Sequence, residues 1–470
     1  MLLLLGLASL LAYLYAWSLQ DLRQNTIQFL VAFCAAFLLY AAATLLALKY
    51  AWLTDRWTLI IVFGGAILFC GVMIFTPPTL SDDMYRYVWD GRIQAQGISP
   101  YRYPPNAAEL AHLRDPHVWR FINRKSAVTV YPPGAEAIFA IVWRIVPDSV
   151  RWFQLVMSGS AILSGLLLVG LLGEMGLSPL RLLIFLWSPL LIFESAHSAH
   201  VDALILPLLV GAWWGRVREK DWLVGALIGL ATAIKFYPAL LLPALWRPRH
   251  PRGRWTMPLA FISVVMMLYL PYVRLEGGGV LGFLPSYMNE VFNISPLVKW
   301  LIYHLPHDRF AQSQAYVRML SLGLWALASL VMVLFPAQDS ASALRRCLWP
   351  ISIITLLNQN LFSWYMLWLL PLLAIFLQEG TLRLGKREIR FGLRLDAWTA
   401  WWLFSGLAAF SYTFFIDWES VPAAIKIQFW PLYILLALSM AAGLLRKARI
   451  SLRRSPGLMR SSHITGGFEG

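Results

Sequence analysis

The sequence contains little charge for its length. Only 13% of its 470 residues are Asp, Glu, Lys or Arg, whereas 59% are hydrophobic. A soluble globular protein of this composition would have too few polar residues to cover its apolar surface. The composition therefore excludes a soluble globule and predicts an all-α integral membrane protein.

Signs of several other protein classes are also missing. The three cysteines, Cys34, Cys70 and Cys347, are isolated and have no disulfide or metal-binding spacing. There is no Walker A pattern, and the glycine run at 277–279 follows no predicted strand, so no nucleotide site is indicated. The formal net charge of +15 is spread over short basic clusters between apolar runs. This distribution is typical of cytoplasmic loops and argues against a nucleic-acid partner.

Apolar runs and basic clusters together predict the topology. The runs are Leu2–Trp17, Ile27–Leu48, Trp57–Phe75, Gly134–Val146, Trp152–Gly173, Leu180–Phe193, Val201–Gly215, Trp222–Trp246, Trp255–Val273, Met319–Pro336, Leu348–Leu361, Ser363–Gln378, Ala397–Phe415 and Ala424–Leu445. The basic clusters all lie inside if both chain ends are cytoplasmic. We expect one polytopic domain over residues 1–470 with about 12 to 14 membrane segments, including short broken helices.

Two of these runs need special interpretation to keep the basic clusters inside. Gly134–Val146 is too short to span the bilayer and carries Arg144, which predicts a half-depth helix. Trp222–Trp246 has basic clusters at both ends, and Pro238 in the stretch Lys235 to Pro238 predicts a break into two short helices. The prediction gives a first extracytoplasmic loop at 81–133, a second at 274–318, and a basic cytoplasmic tail at 446–470.

The longest dense polar stretch follows the third apolar run. It extends from Ser81 to Pro105 and reads SDDMYRYVWDGRIQAQGISPYRYPP. The predicted topology places three further polar stretches on the same face, namely Glu194–Asp202, Lys235–Tyr237 and Asn358–Tyr365. Polar groups gathered at one face among short, broken helices predict a cavity open to both lipid and water.

Such a cavity suits transfer from a lipid-linked donor. A carboxylate can act as general base on an acceptor hydroxyl, and nearby basic groups can stabilise a departing phosphate. The donor head group would then lie at membrane depth, and the acceptor would approach from the aqueous side.

Several motifs, taken in order, resemble those of a known enzyme group. They are DDMYRYVWDGR with the GISPYRYPP loop, YPPGAE, ESAHSAHVD, ATAIKFYPALLLPAL and LNQNLFSWYMLWLLPLL. From about Trp57 to Gln378, the chain resembles integral-membrane GT-C glycosyltransferases, especially bacterial polyprenol-phosphate-mannose-dependent mannosyltransferases. The resemblance implies a GT-C fold in a bacterial inner membrane, with the active site outside and a product in the cell-envelope glycans.

The resemblance also implies the chemistry. An aspartate in the first outer loop is the general base of an inverting transfer of mannose or another hexose from a polyprenyl-phosphate donor to a lipid or glycan acceptor. The spacing Asp83-x-x-Arg86-Tyr87 favours Asp83 as this base. The family's aspartate is often followed by Glu, whereas here Met84 follows and Asp82 precedes. The role of Asp82 stays open: it can raise the pKa of its neighbour or help hold a possible divalent cation.

The remaining candidates are assigned to substrate contacts. Donor phosphate-binding candidates are Arg86, Arg92 and Lys235. Substrate-binding candidates are Tyr87, Asp90, Tyr103, Tyr131, His197, His200, Asp202, Tyr237, Asn360, Trp364 and Tyr365. The expected partners are a polyprenyl-phosphate sugar, a lipid or glycan acceptor, and membrane lipids.

Each candidate also has a structural interpretation. The adjacent acids can cap the helix that follows them, and the arginines can pair with neighbouring carboxylates. The His-x-x-His spacing at 197 and 200 suggests a metal site but lacks a clear third ligand, so no metal site is predicted. Lys235 can extend towards the interface, and the tyrosines and tryptophan can belong to an interfacial belt.

Two other functions remain as alternatives. A secondary transporter also uses broken helices and charges within the membrane, but it predicts polar residues towards both faces and an internal repeat. A flippase for lipid-linked glycans would not need adjacent acids in its first outer loop, so those acids should then tolerate replacement.

Overall fold

The computed structural model describes residues 1–51, 56–304, 310–384 and 387–453. These ranges are predominantly helical and contain one pair of short strands. The helices of the first half are α1 (Leu2–Ser18), α2 (Thr26–Lys49), α3 (Arg56–Ile74), α4 (Asp83–Ala95), α5 (Pro133–Ile145), α6 (Val150–Glu174), α7 (Leu182–Leu186), α8 (Pro189–Ile192), α9 (Asp202–Val217), α10 (Asp221–Ile234), α11 (Leu242–Leu245) and α12 (Gly253–Glu276).

The second half continues the helical pattern and adds one hairpin. Its helices are α13 (Leu284–Tyr287), α14 (Pro296–His304), α15 (Phe310–Leu334), α16 (Ser340–Arg346), α17 (Leu348–Leu357), α18 (Leu370–Phe376), α19 (Ala397–Leu407) and α20 (Val421–Arg453). Short 3-10 helices are Ala108–Leu113, Trp119–Phe121, Pro179–Arg181, Tyr237–Leu241, Gly277–Leu281, Ser363–Leu369 and Ala408–Phe415. Strands β1 (Glu379–Leu384) and β2 (Arg387–Leu393) pair antiparallel.

Six helices of the described chain are long and apolar enough to cross a membrane. They are α2, α3, α6, α12, α15 from Gln312 onwards, and α20 as far as Leu445. A pair bent by 58°, Pro179–Leu186 with Pro189–His197, makes a seventh if it is one span. The prediction of an all-α integral membrane protein is confirmed. Several of the 12 to 14 expected segments are helices too short to span the bilayer alone, such as α5 and α10.

The predicted break at Lys235 is present in the structure. Helix α10 ends at Ile234, and Lys235 has an extended backbone with φ −151° and ψ 134°. A 3-10 turn and the four-residue helix α11 then complete the apolar run. Pro238 explains this geometry because proline lacks the N–H that a continuing helix requires.

The polar stretch after α8 interrupts the helical path in a different way. Phe193–His197 forms a π-type turn, and Ala199 has a positive φ of 52°. Helix α9 then begins at Asp202. This irregular backbone is buried inside the protein, which is where a membrane protein can tolerate it.

Helices α4 and α5 belong to the loop region between α3 and α6 and lie against each other closely. A Cβ on Gly91 would lie 2.6 Å from the carbonyl oxygen of Phe139, so only glycine permits this approach. This contact holds α4, the helix whose N-terminus carries Asp82 and Asp83, against α5.

Side-chain hydrogen bonds tie the core helices together. The Tyr40 hydroxyl donates to the carbonyl oxygen of Ile184 at 2.7 Å and accepts from the Trp402 indole at 3.0 Å. Arg181 donates to the carbonyl oxygens of Ala374 and Ile375, which are near the C-terminus of α18. These bonds satisfy backbone groups that would otherwise be left without a partner at a buried helix end.

The hairpin was not anticipated from the sequence. The basic residues from Arg383 to Arg394 are one of the clusters that the predicted topology places inside, and they lie largely within β1 and β2. The letters TLRL (381–384) and EIRF (388–391) alternate polar and apolar residues, a period that favours strands. Of the predicted basic tail at 446–470, residues 454–470 lie outside the described residues, as do residues 305–309 of the second predicted outer loop.

Candidate active site

A cavity with a volume of about 800 Å³ lies at the N-terminus of α4. Ten sequence-predicted residues line it: Asp82, Asp83, Arg86, Tyr87, Tyr131, Lys235, Tyr237, Asn360, Trp364 and Tyr365. The four predicted polar stretches each contribute to its lining, the second of them through Val201. Residues far apart in sequence therefore meet at one site.

One part of the cavity wall is apolar. Leu240 follows the break after α10, Leu322 lies on α15, and Ile354 and Leu357 lie on α17. Arg318 also lines the cavity, one helical turn before Leu322 on the same helix. The cavity therefore places a positive group beside an apolar wall.

The two adjacent acids make different contacts. Asp82 occupies the N-cap position of α4, but its side chain makes no capping hydrogen bond. It instead forms an ion pair with Arg23, at 2.6 Å between Oδ1 and Nη2. Asp83 Oδ1 accepts a hydrogen bond from Asn123 Nδ2 at 2.8 Å, and 22% of its side chain is exposed to the cavity.

The environment of Asp83 makes its carboxylate a stronger base. Burial raises the pKa of Asp83 above its ordinary value, and the charge of Asp82 acts in the same direction. The Asn123 hydrogen bond and the positive charges of Arg124 and Lys235 oppose this rise. A carboxylate with a raised pKa that is still reachable from a cavity is suited to take a proton from a hydroxyl.

Lys235 is held at the cavity wall by a buried carboxylate. Its Nζ lies 2.5 Å from Oδ2 of Asp202, whose side chain has no exposed surface. The same ammonium lies 4.7 Å from the centre of the Tyr365 ring. The extended backbone at residue 235 lets this side chain leave the helix end and reach the cavity.

Two further cations line the cavity. Arg124 makes a two-pronged ion pair with Glu290, with Nε at 2.9 Å from Oε1 and Nη2 close to Oε2. Arg318 donates from Nη1 to the carbonyl oxygen of Met288 at 3.3 Å. Both contacts join the cavity to the segment 288–290, which follows α13.

Aromatic rings and amides line the rest of the polar wall. The hydroxyls of Tyr287 and Tyr365 are 3.0 Å apart, and the ring of Tyr237 contacts that of Tyr365. The side-chain amide of Asn360 is buried at the cavity and, among the described residues, has no hydrogen-bond partner. These groups can contact sugar rings and hydroxyls.

Two predicted residues lie just behind the cavity lining. Asp202 contacts Lys235, as described above. His200 Nδ1 lies 3.8 Å from Asp83 Oδ2, and its ring stacks on Trp364 at a centroid distance of 3.6 Å. Neither side chain lines the cavity itself, but each contacts a residue that does.

The structure does not bring four predicted residues to the cavity. Arg92 forms ion pairs with Asp115 and Asp148, which occupy its guanidinium. Asp90 is fully buried and binds Arg86. Tyr103 packs against the hydrophobic core, and His197 is buried away from the cavity lining. These four residues lie outside the cavity lining and contact the surrounding protein, and their assignment to substrate binding stays a prediction.

The sequence left a role in cation binding open for Asp82. Among the described residues, no group of three or more His, Cys, Asp or Glu side chains is arranged to hold a metal ion. Asp82 pairs with Arg23, so its nearest charged partner is a guanidinium.

Sequence reasoning missed several cavity residues, above all Arg23, Asn123, Arg124, Glu290 and Arg318. One signal was available for part of this set. The predicted outer loop 81–133 contains basic residues at 114, 120, 124 and 125, on the side where the positive-inside rule expects few. Charges that run against this rule are candidates for function.

The chain is similar to a known enzyme family over its first half. The profile described as alpha-(1->6)-mannopyranosyltransferase, N-terminal domain, matches residues 3–247, slightly more than half of the 470 residues. The matched region includes Asp83, Asn123 and Lys235. No curated protein matches the chain. The chain belongs to this MptA_B family of GT-C-like, polyprenol-dependent mannosyltransferases, and is an integral-membrane glycosyltransferase.

Proposed function

We propose that the protein transfers mannose or another hexose from a polyprenyl-phosphate donor to a lipid or glycan acceptor, with inversion at the anomeric carbon. The reaction takes place at the periplasmic face of a bacterial inner membrane. The observation that carries this proposal is the position of Asp83 in a cavity that combines cations with an apolar wall.

Asp83 acts as the general base. The acceptor hydroxyl gives its proton to the free Oδ2 of Asp83, because Oδ1 already accepts from Asn123. The acceptor oxygen forms a bond to the anomeric carbon while the bond from that carbon to the phosphate oxygen breaks. Attack from the side opposite the phosphate inverts the configuration. Asp82 assists indirectly, since its negative charge raises the pKa of its neighbour.

Lys235, Arg124 and Arg318 receive the departing phosphate. All three line the same cavity as Asp83. The bond that breaks leaves its electron pair on the phosphate, and cations held at fixed positions stabilise charge that develops there. Arg86 also lines the cavity, but its Nε is held by both oxygens of Asp90, at 2.8 and 2.9 Å. Among the described residues its Nη2 has no hydrogen-bond partner, so Arg86 stays a candidate for phosphate contact.

The apolar wall accommodates the lipid part of the donor. Leu240, Leu322 and Ile354 offer hydrocarbon contacts beside Arg318. Helix α15 is largely exposed along its length, as expected for a helix that faces lipid. A polyprenyl chain can lie along this wall with its phosphate at the cations, and the amide of Asn360 is available for sugar hydroxyls.

The test is transfer of radiolabelled sugar from a panel of polyprenyl-phosphate donors into membrane lipid. We compare the wild-type protein with Asp83→Asn and with Asp148→Asn, all at equal expression. Asp148 has a positive φ of 56°, which asparagine tolerates, and it does not line the cavity. We expect Asp83→Asn to lose about 10²- to 10⁴-fold in rate, the usual contribution of a general base. Asp148→Asn should remain close to the wild type.

Two results would contradict the proposal. Equal transfer by Asp83→Asn and the wild type would exclude Asp83 as the base. Absence of transfer from every donor, together with uptake of a solute or movement of a lipid-linked glycan, would favour a transporter or a flippase.

A further inference from the structure

One tyrosine, Tyr287, lies between the cations that are assigned to the departing phosphate. It lines the cavity and is the last residue of α13. The guanidinium carbon of Arg124 lies over its ring, 5.6 Å from the ring centre. Arg318 donates to the carbonyl oxygen of Met288, the residue that follows Tyr287. Two of the three cations therefore contact Tyr287 or its neighbour in the chain.

The third cation is connected to Tyr287 by a second tyrosine. Lys235 Nζ lies 4.7 Å from the centre of the Tyr365 ring. The hydroxyl oxygens of Tyr365 and Tyr287 are 3.0 Å apart, which is a hydrogen-bond distance. Lys235 thus lies over one ring of the pair and Arg124 over the other. A phosphate that binds both cations lies beside the two hydroxyls.

The backbone around Tyr287 is anchored on both sides of α13. Before the helix, the amide of Phe283 donates to the carbonyl oxygen of Thr129 at 2.9 Å. After the helix, Glu290 forms the two-pronged ion pair with Arg124. These contacts hold the tyrosine in place before any substrate binds. A hydrogen-bond donor fixed in this way needs no reorganisation when charge develops in front of it.

The contact between the two hydroxyls leaves one O–H group free to donate. Each phenol carries one hydrogen, and only one of the two hydrogens lies between the oxygens. Tyr365 is 4% exposed, whereas Tyr287 is half-buried and therefore more open to the cavity. The inner hydrogen bond is then donated by Tyr365, and the free O–H belongs to Tyr287. A hydroxyl that accepts a hydrogen bond is polarised by it and becomes a stronger donor.

We propose that the Tyr287 hydroxyl donates a hydrogen bond to the phosphate of the donor and is a further catalytic residue of the reaction. In the donor, the phosphate joins the sugar to the lipid and carries a single negative charge. When the bond from the anomeric carbon to the phosphate oxygen breaks, the electron pair stays on that oxygen and a second charge develops. A hydrogen bond to the phosphate therefore strengthens in the transition state. Tyr287 keeps its own proton, and the proton of the acceptor hydroxyl goes to Asp83.

This inference rests on the proposed function and is tested with Tyr287→Phe in the purified full chain. The variant removes the hydroxyl and keeps the ring beneath Arg124. The donor is radiolabelled polyprenyl-phosphate mannose, and the acceptor is the lipid extract that the wild-type protein labels. Besides kcat and both KM values, the inhibition constant of the product, polyprenyl phosphate, is measured.

Tyr272→Phe is the matched control. The Tyr272 hydroxyl also makes a hydrogen bond, to Gln94 Oε1 at 2.7 Å, but Tyr272 does not line the cavity. The control therefore loses the same chemical group and one hydrogen bond, but at a distance from the phosphate. Its kinetic constants should stay close to those of the wild type.

We expect Tyr287→Phe to lower kcat by about 10- to 100-fold, the range of a lost hydrogen bond to a charged group. The inhibition constant of polyprenyl phosphate should rise by about 10-fold, because the product carries the additional charge. The donor KM should change less, since the donor phosphate has a single charge. The acceptor KM and the pH dependence of kcat should not change, because neither the acceptor nor Asp83 loses a contact.

Tyr365→Phe is a second test that leaves Tyr287 intact. It removes only the hydroxyl that polarises Tyr287, and its ring remains beneath Lys235. We expect the same pattern at a smaller size, with a loss of about threefold in kcat and a similar rise in the inhibition constant of the product. A loss larger than that of Tyr287→Phe would overturn the assignment of the free O–H to Tyr287. If Tyr287→Phe does not fold, a wild-type inhibition constant in Tyr365→Phe overturns the proposal.

The outcomes separate this contact from the function itself. If Asp83→Asn is inactive but a folded Tyr287→Phe keeps the wild-type kcat and product inhibition, Tyr287 does not bind the phosphate and the proposed function stands. A raised acceptor KM or a shifted pH profile, with unchanged product inhibition, also contradicts the inference, because the hydroxyl then acts on the acceptor or on Asp83. If Asp83→Asn is as active as the wild type, the proposed function itself fails.

Discussion

We expect Lys235→Met to lower the stability of the protein and, separately, to weaken donor binding. Asp202 has no exposed side-chain surface, and its Oδ2 contacts Lys235 Nζ at 2.5 Å. Within the described chain, Oδ1 of the same carboxylate has no hydrogen-bond partner. Removing the ammonium therefore leaves a buried charge without its main partner, which typically costs about 3 to 5 kcal/mol.

Loss of donor binding has a different origin. A hydrogen bond to a charged group contributes about 1.5 to 3 kcal/mol, so a lost contact with the donor phosphate should raise the donor KM by about 10- to 100-fold. The double variant Lys235→Met/Asp202→Asn removes the unpaired charge. It should recover most of the stability while the donor KM stays high.

The assay combines thermal unfolding in detergent with the KM for the donor, measured on the wild type and on both variants. If Lys235→Met is as stable as the wild type, the argument from the buried ion pair is refuted. A double variant with a wild-type donor KM would show that Lys235 acts only on stability. Asp202→Asn alone completes the cycle, because it leaves the ammonium at the cavity without its carboxylate.

The remaining predictions concern cations and pH. Arg318→Met should raise the donor KM by about 10-fold with little change in stability, since Arg318 lines the cavity. Arg92→Met should leave the donor KM unchanged but lower the unfolding temperature, because its buried guanidinium binds Asp115 and Asp148; the reverse pattern would restore Arg92 as a phosphate ligand. Because burial raises the pKa of Asp83 and the base must be ionised, kcat should rise with pH through that pKa and then level off. Asn123→Ala removes a hydrogen-bond donor to the ionised carboxylate of Asp83 and should move this rise in kcat to higher pH. An unchanged pH profile would show that Asn123 does not act on the base.

The family match and the structure agree on the importance of the first half of the chain. The match ends at residue 247, so it includes α4 and the break at Lys235. The cavity, however, also takes Arg318 and Tyr365 from the second half. The site is therefore completed by a part of the chain that the profile does not cover.

The sequence by itself determined the class of the protein and the position of its polar segments. Composition alone indicated helices in a membrane, because a soluble fold would have too few polar residues to cover so many apolar ones. Pro238 predicted the break beside Lys235, and the density of polar residues from Ser81 onwards marked the segment that carries Asp83. These are local properties, and each can be read from a few neighbouring residues.

The tertiary structure decided which charged groups face the cavity. Arg86 and Arg92 lie on the same short helix, yet the first lines the cavity and the second turns to Asp115 and Asp148. Arg124 acquires its partner Glu290 from 166 residues further along the chain. The direction of a long side chain depends on the partners that packing brings within about 4 Å, and those partners come from distant segments whose approach no local pattern specifies.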